Sequence, residues 1–168
     1  PRRVHAMNAI AAVAANGWFE DFDCLPAGIL ADRAGWEPWN GDAGAASFVV
    51  GSNQAHSPTQ SLEIDGNDDA VRRLSGYTSG RWELIMPVYL PSSLTDSQFA
   101  IVLNTYPASG NADWSLQIEL DGANGFVRDY DGNGAIVMQR DSWSEIRVTI
   151  DLDSDTQTAY YDGQVLVS

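Results

Sequence analysis

The chain has 168 residues, 44% hydrophobic and 19% charged, enough to bury the core of one domain and too apolar for a disordered tract. Acidic residues outnumber basic ones 23 to 9, and the resulting formal charge of −14 argues against nucleic acid and anionic membrane surfaces as partners. All nine basic residues are arginines, which removes Schiff-base and P-loop chemistry; the single Cys24 excludes an internal disulfide, and two histidines are too few for most zinc or copper sites.

Residues 1–17 differ from the rest. Arg2, Arg3 and His5 precede an alanine-rich stretch that ends in Ala12-Val13-Ala14, a small-residue pattern like that of a signal peptide. This segment reads as a leader, an interdomain linker or an arm docked on a neighbour. No apolar run reaches the ~18 residues of a membrane span. Between Cys24 and Gly44, which includes Trp36 and Trp39, no strand periodicity shows, and long loops of this kind often carry binding.

From Trp18 onward the pattern is all-β. In 81–90, Trp82, Leu84, Met86, Val88 and Leu90 alternate onto one face, with Pro87 marking an edge strand or a bulge. In 98–106, Phe99, Ile101 and Leu103 point one way and Val102, Asn104 and Tyr106 the other. Trp114, Leu116, Ile118 and Leu120 alternate with Ser115, Gln117 and Glu119; Ile146, Val148, Ile150 and Leu152 alternate with Glu145, Arg147, Thr149 and Asp151. Turn signals separate these runs at Asp65-Gly66, Asp121-Gly122, Asn124-Gly125, Asp131-Gly132 and Asp162-Gly163. Strands at this spacing, each with one apolar and one polar face, describe an antiparallel β-sandwich over residues 18–168.

Several segments carry a resemblance in chain order: Trp18-Phe19-Glu20-Asp21-Phe22-Asp23 with Gly35-Trp36, Ala55-His56-Ser57 before Ser61-Leu62, and Ser79-Gly80-Arg81-Trp82. Asn104-Thr105-Tyr106, Trp143-Ser144-Glu145-Ile146 and Tyr160-Tyr161-Asp162-Gly163 continue it. Together they resemble concanavalin A-like lectin/glucanase domains of the laminin G-like type. The resemblance implies a jelly roll and a carbohydrate-related or adhesive role, while fold alone does not choose among lectin, glycosidase and adhesion module. It also implies a further strand after the last hairpin, which this sequence lacks. Either the natural chain continues beyond Ser168 or the open sheet edge is covered by something else, for which residues 1–17 or a partner chain are the expected candidates.

Three sets of residues are candidates for chemistry. Glu63, Asp65 and Asp68 are similar to the Glu-x-Asp-x-x-Glu signature of laminarinase-type glycosidases. Asp68 is one methylene short, however, and lies beyond a Gly66-Asn67 turn, so no catalytic role is assigned. Asp129, Asp131 and Asn133 alternate like the start of a calcium loop, although Arg140 stands where such a loop needs a bidentate glutamate. Calcium is the cation expected at those three residues. The polar sheet face offers Tyr89, Asn104, Tyr106, Gln117, Glu119 and Arg147, a mixture of planar hydrogen-bonding groups and aromatics suited to sugar hydroxyls and sugar C–H faces. The alternative reading of the same residues is a solvated sheet face with cross-strand ion pairs such as Glu119–Arg147. The expected function is a non-enzymatic carbohydrate-binding or adhesion module, secreted, periplasmic or on the cell surface. Its alternatives are an interaction subunit of a larger, oligomeric assembly that pairs with another protein chain through the open edge, and a glycoside hydrolase.

Overall fold

The computed structural model describes residues 5–7, 17–56, 58–106, 112–132 and 134–168. They form an antiparallel β-sandwich. Among the described residues the helical content is two single 3-10 turns, Trp39–Gly41 and Ala43–Ala45.

Among the described residues there are fourteen strands, in chain order β1 (His5–Met7), β2 (Gly28–Ile29), β3 (Trp36–Pro38), β4 (Val49–Gly51), β5 (Ser61–Ile64), β6 (Ala70–Arg72) and β7 (Arg81–Tyr89). Then come β8 (Ser97–Thr105), β9 (Asp113–Asp121), β10 (Phe126–Asp129), β11 (Ala135–Val137), β12 (Trp143–Asp151), β13 (Thr156–Tyr161) and β14 (Gln164–Val167). One sheet has eight strands in the order β14-β13-β12-β7-β1-β5-β4-β2. A second has four, β11-β10-β9-β8, and a third pairs β3 with β6. The four strands read from alternation correspond to β7, β8, β9 and β12.

The interior falls into two clusters. The larger joins Val88, Ile146, Val148 and Ala159 of the eight-stranded sheet to Ala100, Leu116, Ile118 and Leu120 of the four-stranded one. The smaller gathers Phe22, Leu30, Trp36, Phe48, Leu62 and Ile64, from β3, β5 and the loops around them. Apolar burial on this scale is the dominant stabilising term of a domain.

Four expectations are corrected. First, β8 turns Ala100 and Val102 inward, and Phe99 is 38% exposed on the outside. Both faces of this strand are apolar, and small Ala100 fits where the two sheets approach. Second, Trp114 is 44% exposed because register shifts at Val102/Leu103 and Leu103/Thr105 interrupt the alternation beside it. Third, Pro87 lies in a central strand. Its partner Glu145 directs its N–H and C=O toward Asp162, away from β7. Alternation therefore aims the proline nitrogen at the β1 side, where described pairing stops at Met7–Val88. Fourth, the Glu119–Arg147 pair of the solvated-face alternative does not form, since the two residues belong to different sheets. Arg147 pairs with Glu145 and Glu83, while Glu119 accepts a hydrogen bond from Ser97 Oγ.

Of segment 1–17, residues 5–7 and Gly17 are described. Residues 5–7 form β1 in the middle of the eight-stranded sheet, paired with β5 through His5–Ile64, Ala6–Glu63 and Met7–Leu62. The last hairpin, β13–β14, lies at one edge of this sheet, and there the backbone of Gly134 packs against the Leu166 carbonyl, so the β10–β11 hairpin closes that side of the sandwich.

Candidate functional site

The six residues expected to bind ligand divide between the two outer faces. Tyr89 and Arg147 lie on the eight-stranded sheet. Tyr89 contacts Trp143, which also meets His56, and hydrogen bonding to Glu145 raises the Arg147 pKa further. Asn104, Tyr106, Gln117 and Glu119 belong to the four-stranded layer and its continuation. Period-2 alternation reports which side of its own sheet a residue faces, and carries no information on which sheet that is.

The Asn104–Tyr106 end of β8 meets an aromatic platform. The Trp39 ring stacks on Trp114 at 5.5 Å and 20°, and stands edge-on to Tyr106 at 4.8 Å. The Tyr106 hydroxyl accepts a 2.6 Å hydrogen bond from the Asn40 amide, and Asn40 is held at φ 53°. On the other side the Arg73 guanidinium lies 4.6 Å from the Tyr106 ring centre, donates to Glu37, and thereby has its pKa raised. The 3-10 turn after β3, the chain leaving β6, the end of β8 and the start of β9 thus bring three rings and a cation to one place, with Trp114 and Asn104 exposed.

Beside the platform runs a cleft of about 400 Å³ between β6 and β8, floored by Leu84 and Met86 and walled by Trp36 and Phe22. Its polar groups are Asp68 and Asp69 at one end, Arg72 and Arg73 at the other, with Gln98 and Asn104 along β8. Asp69 is accessible to solvent, yet the protein around it partly desolvates its carboxyl and raises its pKa. Two buried donors in the lining, Trp36 Nε1 and Arg72 Nε, meet no acceptor among the described residues. Sequence reasoning found Trp36, Trp39, Asn104 and Tyr106 individually and missed the cleft, because β6 is three residues long and carries no periodic signal.

The other candidates have structural partners. Glu63 is buried against Gly51 and accepts from Asn53. Asp68 accepts from the Ser47 amide and hydroxyl and from the Asp65 amide, so it braces the turn after β5. Of the expected calcium ligands, Asp129 is buried in β10 and Asp131 is exposed in the following turn; Asn133 lies outside the described residues. Among the described residues no three His, Cys, Asp or Glu side chains converge as a metal would need. Arg140 donates to the carbonyls of Pro91, Leu94 and Gly122, tying two turns together.

Compared with known proteins, this chain matches no family model, no curated protein and no solved structure.

Proposed function

We propose that the protein is a non-enzymatic carbohydrate-binding module, of the concanavalin A-like kind its sequence resembles, working as an exported or cell-surface protein. The observation that carries this reading is the Trp39–Trp114 stack, with Trp114 44% exposed and Asn104 and Tyr106 beside it. An exposed tryptophan face held rigid by a second ring is a platform for the C–H face of a pyranose, and the Asn104 amide offers both a donor and an acceptor to sugar hydroxyls. No pair of carboxylates enters this account; binding makes and breaks no covalent bond.

Affinity electrophoresis in gels containing soluble β-glucans, together with a glycan array, tests the reading. Retardation by at least one glycan is expected, with Trp114→Ala weakening it about tenfold, or ~1.4 kcal/mol, while leaving the β-sheet circular dichroism intact. Unretarded wild-type protein across the array, or full retention by Trp114→Ala, would overturn it.

A further inference from the structure

We propose that the cleft between β6 and β8 is a strand-insertion site: it takes one extended segment of another polypeptide, running opposite to both strands, apolar at alternate positions, acidic at its first end and basic at its last. This does not rest on the carbohydrate reading, which concerns the platform at the cleft's end.

Among the described residues each of the two strands is the last of its sheet. They run in the same direction, because Gln98 reaches the Gly66 carbonyl at one end and Arg73 reaches the Tyr106 carbonyl at the other. A single strand laid between them in the opposite sense would pair antiparallel with both and merge the four-stranded and two-stranded sheets into one of seven. The backbone phase suits this. Gln117 gives its carbonyl to the Tyr130 amide on the β10 side, so its β8 partner Ile101 directs N–H and C=O away from β9 and into the cleft, as does Phe99. Across the cleft the Asp69 carbonyl accepts from Trp39 on the β3 side; alternation then turns the backbone of Ala70 and Arg72 inward. The stretch from Gln98 to Tyr106 spans about 25 Å at ~3.3 Å per residue, room for about seven residues of guest strand.

Three further observations point to a polypeptide. The interior is divided into two clusters, and Leu84 and Met86, packed against the larger, share the cleft lining with Phe22 and Trp36 of the smaller. The inward side chains of a guest strand would bridge them. Trp36 Nε1 and Arg72 Nε are buried donors that meet no acceptor among the described residues, an unfavourable state that guest carbonyls would relieve. Finally, Arg72 and Arg73 stand where an antiparallel guest would begin and Asp68 and Asp69 where it would end. That arrangement selects an acidic residue first and a basic residue last.

The test uses the 168-residue chain and an acetylated, amidated heptapeptide with glutamate first, lysine last and valine alternating with threonine between. Hydrogen exchange monitored by NMR is expected to slow at least tenfold at the amides of Phe99, Ile101, Ala70 and Arg72 when the peptide is added. Ile101→Pro removes one cleft-facing N–H and should weaken binding at least tenfold. Methylating alternate amides of the peptide makes the same removal with the protein untouched, and exchanging the peptide's glutamate and lysine should also weaken binding at least tenfold. No protection at those four amides with millimolar peptide, or binding indifferent to both peptide changes, overturns the proposal; so does protection by an oligosaccharide alone. Trp114→Ala should leave peptide binding unchanged, which separates this outcome from the fate of the carbohydrate reading.

Discussion

Arg140, standing where a calcium loop would need a carboxylate, instead ties together two turns elsewhere in the chain. Its guanidinium meets three backbone carbonyls from the turns at 91–94 and 122. A planar fork of fixed donors suits that task better than a flexible ammonium. Arg140→Ala should therefore lower the unfolding free energy by about 1.5–3 kcal/mol, the range for hydrogen bonds to a charged group, and Arg140→Lys should recover only part of it in urea melts. Asp121 makes a second residue-scale prediction. The Asn124 side chain and amide bond its carboxylate, with Arg128 at 2.9 Å, and hold its pKa below the ordinary value. A depressed folded pKa stabilises the fold above the unfolded value of about 3.9, and that stability is lost as pH falls through the folded value. Urea midpoints measured from pH 6 to pH 2 should drop below about pH 4, with a shallower acid limb in Asp121→Asn.

At the scale of elements, the closed side of the sandwich depends on one glycine. A Cβ at Gly134 would fall on the Leu166 carbonyl oxygen, which is backbone and cannot turn aside. Gly134→Ala should push the β10–β11 hairpin off β14 and destabilise the protein by about 1–3 kcal/mol, read as a lowered thermal midpoint with faster amide exchange in β14. β12 was legible because it alternates cleanly: Ile146, Val148 and Ile150 are apolar between polar neighbours. In β8 every residue from Phe99 to Leu103 is apolar, so periodicity could not choose a face. The platform was half legible. Its tryptophans stand out in any reading of the chain, but their meeting depends on a positive-φ turn at Asn40 and on register shifts in β8 and β9 that carry no sequence period.

For the whole molecule, a formal charge of −14 on 168 residues means that folding concentrates like charge. Raising sodium chloride from 10 mM to 0.5 M screens that repulsion and should raise the thermal midpoint, by about 2–4 °C for each 1 kcal/mol relieved. An unchanged or lower midpoint would show that local ion pairs such as Arg81–Asp151 outweigh the global field.

The division of the interior sets the order in which the molecule comes apart. The lobe around Phe22, Phe48 and Leu62 is built on strands of two to four residues, whereas β7, β8, β9 and β12 are nine residues each. The short-stranded lobe is therefore expected to open first, its tryptophan-rich end loosening while the nine-residue ladders stay folded.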